Sequence, residues 1–302
     1  MIITNRLGLS EQWVEAVRSR MDRTPLGWLS VTQLINSTRQ VWLPKRHYDK
    51  VTMDVADCLP MLFGWLFHGV LEKNALSGIS EQRLMTKILG KEVSFTPDSL
   101  YLTQETLIDF KFTSVFTVMH GGRDEWFKQT NFYAYLLNLV GISIKTIRLE
   151  VFSRDWRPGE QRKYFDYPPQ MVTVIPVTMH PAKQVQTAIE ERVRSFSVTE
   201  KVSDEQLPEC TDEERWAKPA TWAVKKIDKD GSIGKKAMPG GSKFGSEIEA
   251  QEFGRSKNCP FKVEFRAGSS RKCDYCNARP FCNQYHDKIR PTLEQEDGSS
   301  EE

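Results

Sequence analysis

A change in the spacing of apolar residues at Gly90 limits the fold of this chain more than any other feature. Up to Gly90 the spacing is mostly helical, and it predicts helices over residues 10–21, 30–40, 57–73 and 80–89. Ser30 and Gln33 have the spacing of a capping box at the start of the second helix, and Gly90 is suited to end the fourth. Beyond Gly90, short runs predict strands over residues 92–96, 100–102 and 106–113, followed by a helix over 125–139 and a strand over 142–153. This order favours a mixed α/β core over a doubly wound sheet.

Composition is that of an ordinary soluble protein, with 39% hydrophobic and 27% charged residues among 302. The net charge of +2 neither requires nor excludes a nucleic-acid partner. No apolar run approaches the roughly 20 residues that cross a bilayer. The helix over residues 57–73 has apolar residues on broadly one side and is predicted to be amphipathic and largely buried. We therefore predict a cytoplasmic protein with no membrane partner.

Three regions are predicted along the chain. Residues 1–200 form the core, and they end with a Pro-rich strand over 167–177 and a helix over 181–195. Residues 201–290 form a cysteine-rich, metal-binding segment, in which the Gly, Lys and Ser content of 228–257 predicts a flexible insertion. Residues 291–302 are predicted to be a disordered acidic tail.

The segment SFTPDSLYLTQETLIDFKFTS carries the most chemical information. Two carboxylates, Asp98 and Asp109, and the ammonium of Lys111 fall at the ends of adjacent predicted strands. Mg²⁺ prefers oxygen ligands and retains several waters, so a few carboxylates are enough to hold it. Asp109 and Lys111 share one strand face because side chains alternate, whereas Phe110 points the other way and leaves its carbonyl available. Lys111 would then orient or deprotonate a metal-activated water.

An Asp-x-Lys pair alone is common on exposed strand faces. Whether this pair indicates a catalytic site therefore depends on the other polar residues that occur with it in the sequence. His68 and Glu72 are four residues apart on a predicted helix, as are Gln129 and Tyr133 on a later one. A single histidine on an apolar helix is more often a hydrogen-bonded core residue than a metal ligand. The order of all these residues along the chain is more specific than any one of them.

That order resembles the RecB branch of the PD-(D/E)XK nucleases over about residues 30–156. The family pattern is G-x-x-x-H-x-x-x-E on a helix, then PD, then D-x-K, then Q-x-x-x-Y on the next helix. The corresponding residues here are Gly64, His68, Glu72, Asp98, Asp109, Lys111, Gln129 and Tyr133. The resemblance implies a restriction-endonuclease-like α/β core, with a mixed central sheet flanked by helices.

The resemblance also implies roles for these residues. His68, Asp98, Asp109 and the carbonyl of Phe110 would bind Mg²⁺ or Mn²⁺. Asp98, Asp109 and Lys111 would be catalytic, and Gln129 and Tyr133 would contact DNA.

The activity expected from the resemblance is metal-dependent hydrolysis of DNA, as an exonuclease on single strands or duplex ends. It would serve repair, recombination or phage DNA metabolism in a bacterial or phage-infected cell. A homo-oligomer or a recombination or helicase partner would be compatible with this role. Two alternatives are an inactive RecB-like DNA-binding or assembly subunit and a structure- or sequence-specific endonuclease.

Three cysteines, Cys273, Cys276 and Cys282, lie within ten residues and indicate a metal site rather than disulfides in a reducing compartment. The fourth ligand is open among Cys210, Cys259 and Cys58. Thiolates at this spacing suit either Zn²⁺ or an iron–sulfur cluster.

Resemblance to phage-type RecB-like nucleases favours Cys210 over Cys259 as the fourth ligand. Resemblance to CRISPR-associated RecB-like and AddB-type iron–sulfur nucleases favours a [4Fe-4S] cluster over Zn²⁺. Those relatives usually place their first cysteine before the core, about where this chain has Ser37. The metal would fasten the C-terminal segment and play a structural role.

Overall fold

The computed structural model describes residues 1–21, 27–74 and 78–291. The acidic residues 295–302, predicted to be disordered, lie outside these ranges. The chain divides into two compact units. The first unit contains Met1–Val41 and Lys45–Val202, and the second contains Trp42–Pro44 and the described residues from Ser203 onward. Helices and several sheets occur together, which confirms the predicted mixed α/β class.

The described part of residues 1–202 contains these strands: β1 Ile2–Thr4, β2 Leu29–Ser30, β3 Thr52–Asp54, β4 Ile79–Ser80, β5 Leu84–Ile88, β6 Lys91–Phe95, β7 Ser99–Tyr101, β8 Thr106–Thr113, β9 Thr146–Ser153 and β10 Val172–Val177. The α-helices of this region are α1 Glu11–Met21, α2 Val31–Leu34, α3 Thr38–Arg46, α4 Val55–Lys73, α5 Val115–Met119, α6 Asp124–Leu139 and α7 Ala182–Thr199. The second unit adds β11 Ala217–Lys218, β12 Thr221–Ile227, β13 Ile233–Ala237, β14 Phe261–Arg266, β15 Ser269–Ser270, α8 Glu247–Arg255 and α9 Arg271–Asp274.

The main sheet of the first unit has the strand order β10-β9-β8-β7-β4. The pair β8–β9 is parallel and the other three pairs are antiparallel. Along β9, buried Ile147, Leu149 and Val151 alternate with more exposed residues, so one face of this strand forms the core. Because β8 and β9 are parallel, their carboxyl ends, Thr113 and Ser153, lie at the same edge of the sheet.

The predicted helix over residues 80–89 is wrong. Leu84–Ile88 is instead strand β5, which pairs with β6 in an antiparallel hairpin beside β2. Leu89 and Gly90 both have positive φ, at 49° and 77°, as a two-residue hairpin turn matched to the strand twist requires. Gly90 therefore supports a hairpin turn and does not end a helix.

Two other sequence predictions need correction. The helix predicted over residues 30–40 is broken into α2 and α3, although the Ser30–Gln33 capping box at its start is confirmed. The insertion predicted to be flexible over residues 228–257 contains strand β13 and helix α8. In the second unit α8 packs on β12 and β14, and a Cβ at Gly254 would meet the ring of Phe261 at 2.3 Å. Part of the glycine content therefore serves close packing.

Helix α4 is less buried than its spacing predicts. Leu62 is in the core, whereas Phe63, Leu66 and Val70 are exposed. By length and composition α4 passes the test for a membrane-crossing helix, so the expectation that no run approaches that length was too strong. It nevertheless packs against α1, β3 and β8. The cytoplasmic location stays a prediction.

Candidate metal centre and catalytic site

The two aspartates of the predicted catalytic pair meet across neighbouring strands. Asp98 directly precedes β7, and β7 pairs with β8, which contains Asp109. The Oδ2 atom of Asp98 accepts a hydrogen bond of 2.7 Å from the backbone N–H of Phe110. Both aspartates are buried, and Asp109 is only 1% exposed. The antiparallel register of β7 and β8 thus places two carboxylates in one poorly hydrated pocket.

His68 reaches the same place from α4. Its Nδ1 atom lies 2.8 Å from Oε1 of Glu81 and 3.7 Å from Oδ1 of Asp98. The ligand atoms of His68, Glu81 and Asp98 all lie within 4.8 Å of one another, which is close enough to hold one metal ion. The sequence interpretation had paired His68 with Glu72, but Glu72 is exposed and does not belong to this group.

Glu81 is the site residue that sequence reasoning missed. It follows β4, and its backbone N–H donates to the carbonyls of Pro97 and Asp98 at 3.2 and 3.3 Å. Its φ of 51° is uncommon for a residue with a side chain, and such conformations cluster at functional sites. The available signal was an acidic residue beside a short strand, but the helix predicted over residues 80–89 concealed it.

Lys111 forms an ion pair inside the site. Its Nζ lies 2.7 Å from Oδ2 of Asp109 and donates to Oε1 of Gln129 at 3.1 Å. Burial alone would lower the pKa of Lys111, but the charges of Asp109 and Asp98 outweigh burial, and the pKa is raised. The side chain is therefore a protonated donor in this state of the site.

The predicted DNA-contact pair supports Lys111 from α6. Gln129 accepts from the ammonium through Oε1, and its Nε2 donates to the hydroxyl of Tyr133 at 2.8 Å. Tyr133 is only 4% exposed, and burial raises its pKa. The structure therefore makes these two residues a hydrogen-bonded support for Lys111, while their contact with DNA stays a prediction.

Negative charge accumulates in this pocket. Burial, followed by the charge of Asp109, raises the pKa of Asp98 to about 8, although His68 and Lys111 act in the opposite direction. Burial alone would lower the pKa of His68. The hydrogen bond to Glu81 and the charge of Asp98 together outweigh burial, so the pKa of His68 is raised. Both shifts report unbalanced carboxylate charge in a desolvated site.

The donor set fits a hard divalent cation. Oδ1 of Asp109 is buried and has no hydrogen-bond partner among the described residues. A buried carboxylate oxygen without a partner is costly, and a cation satisfies it. Three carboxylates and one imidazole form an oxygen-rich set that suits Mg²⁺ or Mn²⁺. The carbonyl of Phe110 was predicted as a further ligand; the backbone N–H of the same residue donates to Asp98, and its ring centroid lies 6.2 Å from that of His68.

In the second unit the three clustered cysteines are neighbours. The N–H of Cys276 donates to the carbonyl of Cys273 at 3.2 Å in the turn after α9. Burial, and then the charges of Cys276 and Cys282, raise the pKa of Cys273 to about 11. Burial also raises the pKa of Cys276. Grouped, desolvated thiols of this kind gain from a bound cation, which favours the thiolate form.

Cys210 is tied to this segment by its backbone. Gln284, two residues beyond Cys282, accepts from the N–H of Cys210 at 2.9 Å and donates to its carbonyl at 2.8 Å. Arg215 donates to the same carbonyl at 3.3 Å, and its charge acts on the thiol of Cys273. Cys259 lies between α8 and β14, outside these contacts. These contacts tie the Cys210 backbone to the segment that contains Cys282, and the choice of Cys210 as the fourth ligand stays a prediction.

Comparison with known proteins adds little to this geometry. No known protein family matches the sequence, and no curated protein matches it. Among solved structures, the crystal structure of SSO0001 is similar with a TM-score of 0.44 and 10% sequence identity. The similarity covers 60% of this chain and 83% of that chain.

Proposed function

We propose that the chain is a Mg²⁺- or Mn²⁺-dependent deoxyribonuclease with a restriction-endonuclease-like core. One observation carries this proposal: the buried carboxylates of Asp98 and Asp109 meet beside the ammonium of Lys111, with one oxygen of Asp109 left without a partner. A module that only binds DNA has no chemical need for that arrangement. The proposed reaction is hydrolysis of a phosphodiester, as an exonuclease on single strands or duplex ends.

His68, Glu81, Asp98 and Asp109 would hold the cation, with the Phe110 carbonyl as a further ligand. When bound, a divalent cation supplies Lewis-acid polarisation of the phosphate and lowers the pKa of a coordinated water. A bound cation would offset the burial and the charge of Asp109 that raise the pKa of Asp98. Glu81 also holds the imidazole of His68 through its 2.8 Å contact.

Lys111 acts on the nucleophile and the phosphate. Its ammonium, which lies 2.7 Å from Oδ2 of Asp109, would orient the attacking water as a hydrogen-bond donor. The same ammonium stabilises negative charge that develops on the phosphate oxygens. Asp109 and Gln129 hold its Nζ from two sides, so the long lysine side chain is fixed before substrate arrives.

We propose further that Cys210, Cys273, Cys276 and Cys282 hold a [4Fe-4S] cluster, with Zn²⁺ as the alternative. The role is structural, because the cysteines lie in a segment of short elements such as α9. Anaerobic purification followed by iron, sulfide and zinc analysis distinguishes the two metals. Cys259→Ser is the matched control for Cys210→Ser, since both lie in the second unit and both were candidates.

The nuclease proposal is tested on end-labelled linear DNA, with closed circular DNA alongside, in Mg²⁺ or Mn²⁺. We expect the linear DNA alone to be degraded, and Lys111→Ala to abolish the activity while Lys183→Ala, an exposed lysine on α7, leaves it unchanged. Cutting of the circle would support the endonuclease alternative. Binding without cutting by metal-replete protein would contradict the catalytic proposal and support an assembly subunit.

The cellular setting follows from this activity. An exonuclease of this kind would act in DNA repair, recombination or phage DNA metabolism, alone, as a homo-oligomer or with a helicase or recombination partner. Affinity purification of the protein from its native cell, followed by identification of the proteins bound to it, distinguishes action alone, as a homo-oligomer and with a helicase or recombination partner.

A further inference from the structure

Two segments leave the main sheet at one edge, next to the candidate site. Strand β8 continues into α5, and β9 continues into a loop over residues 154–171. Thr113 and Ser153 are paired at the parallel carboxyl ends of these strands, and Lys111 lies two residues before Thr113. Anything bound at this edge is therefore close to the strand that carries the catalytic groups.

Exposed aromatic side chains project from both segments. Phe165 in the loop is fully exposed, Tyr164 beside it is 54% exposed, and Phe116 on α5 is 61% exposed. We call these three residues the aromatic rim. The ring of Phe116 lies against that of His120, with centroids 4.0 Å apart. Tyr164 and Phe165 are adjacent in the chain, and large apolar side chains grouped on a surface mark binding sites more often than isolated ones do.

The loop that presents the rim is fastened at its base. The indole N–H of Trp156 donates to the carbonyl of Pro168 at 2.9 Å, and the backbone N–H of Arg157 donates to the hydroxyl of buried Tyr167 at 2.7 Å. Asp155 accepts from the N–H of Val115 at 2.7 Å, which joins the loop to the start of α5. The two segments are thus held together, and Phe165 is exposed from a structured loop.

Positive charge accompanies the aromatic rings. Arg154, Arg157 and Arg162 are all exposed in the loop. Lys163 in the same loop is paired with Glu160 at 2.8 Å, and Asp155 and Asp166 are also exposed there, so the arginines leave the loop with a small excess of positive charge. Aromatic faces interleaved with cationic side chains are the combination that binds single-stranded nucleic acid, through base stacking and backbone phosphate contacts.

We propose that the aromatic rim stacks unpaired bases of the DNA strand whose backbone enters the candidate site. This inference rests on the proposed nuclease function, and it predicts that the nuclease prefers DNA with single-stranded ends. Duplex DNA keeps its bases stacked on one another and offers none to Phe165, whereas every unpaired base offers a flat face. A protein partner on the same surface would not depend on bases, and the test separates that possibility.

The experiment measures binding of the full chain to a fluorescent oligothymidylate by anisotropy, in the Lys111→Ala background and without added Mg²⁺ or Mn²⁺, so that no strand is cut and a structural metal in the second unit is retained. An abasic oligomer of the same length and charge serves as the second ligand. We expect Phe165→Ala to raise the Kd for oligothymidylate at least about fivefold, because one stacked base contributes roughly that much or more. The same variant should leave the Kd for the abasic oligomer unchanged, and Phe165→Trp should keep tight binding.

Phe63→Ala is the matched control, since Phe63 is an exposed phenylalanine of the first unit that contacts Trp13 on α1 rather than the rim. Tyr164→Ala and Phe116→Ala extend the test if Phe165→Ala alters the circular dichroism spectrum. An unchanged Kd for all three rim variants, or an equal loss on the abasic oligomer, overturns the stacking role. Because binding is measured without added Mg²⁺ or Mn²⁺, a rim that does not bind bases can be distinguished from a site that does not cut DNA.

Discussion

The charged site of the first unit and the cysteine cluster of the second unit are assembled in opposite ways. His68 on α4, Glu81 after β4 and Asp98 before β7 lie close together, and the pairing of β7 with β8 adds Asp109 beside Asp98. Three of the cysteines lie within ten residues of one another, in and after a helix of four residues. The charged site is thus built on a sheet with its own apolar core, whereas the stretch that carries Cys273, Cys276 and Cys282 has only the four-residue helix α9 and a short 3-10 turn. Loss of metal should therefore affect chemistry in the first unit and folding in the second.

The largest expected effect tests that difference in the second unit. Cys276→Ser should remove the proposed metal and destabilise the cysteine segment on the order of several kcal/mol, because metal binding there would supply folding free energy. Hydrogen exchange measured by mass spectrometry should show lost protection across residues 203–291 and little change in residues 1–202. Cys58→Ser, at a buried cysteine of the first unit, is the control for thiol loss away from the cluster. Unchanged protection around Cys276 would mean that the segment folds without metal.

The next effect is on chemistry in the first unit. Lys111→Met should lower the single-turnover rate by about 100-fold or more, a common range for removing a positioned proton donor or acceptor. Methionine keeps much of the volume but removes the charge, so the change in packing is small. Substitution of Gln129 by Ala, which removes a single hydrogen bond to Nζ, should have a smaller effect on the same rate. Equal rates for Lys111→Met and wild type would remove Lys111 from the catalytic assignment.

A third experiment compares two glutamates. Glu81→Gln should raise the Mg²⁺ concentration needed for half-maximal activity by about 10-fold or more, as loss of a ligand or ligand-orienting group does. Glu72→Gln should leave that concentration unchanged, because Glu72 is exposed and outside the metal group. A metal titration of activity measures both variants. A shift with Glu72→Gln and none with Glu81→Gln would contradict the assignment of Glu81 to the metal site.

The contrast between these glutamates shows what the sequence could predict. Asp109 and Lys111 were predictable as a pair because strand alternation alone puts them on one face. The place of Glu81 in the site was not predictable, because Leu84 and Ile88 are four residues apart, which is also the spacing of one helix face. Pairing with β6 across the turn at Leu89 decides their structure, and that pairing is tertiary information.

Burial was harder to predict than secondary structure. The spacing on α4 predicted a helix correctly, but it does not say which side neighbouring elements cover, and Phe63 and Val70 are exposed. The composition of residues 228–257 suggested flexibility, whereas Gly254 is there to admit the ring of Phe261. The composition of a segment does not predict its packing, because packing depends on residues far away along the chain.

The smallest expected effect is on the free energy of unfolding when a helix cap is removed, and it tests whether the two units unfold separately. Ser30 caps α2 in the first unit, where its Oγ accepts from the N–H of Gln33 at 3.2 Å and its own N–H donates to Oε1 of Gln33 at 2.9 Å. Ser246 caps α8 in the second unit, where it accepts from the N–H of Glu249 at 3.3 Å. Replacing either serine by alanine should cost about 1 kcal/mol of unfolding free energy.

Urea unfolding followed by hydrogen exchange assigns each loss to a unit. If the units are independent, Ser30→Ala should lower protection in residues 1–202 alone, and Ser246→Ala should lower it in the second unit alone. If both variants lower protection throughout the chain, the units unfold cooperatively. The metal that stabilises the cysteine segment would then also contribute to the stability of the catalytic core, and Cys276→Ser should reduce nuclease activity without touching the charged site.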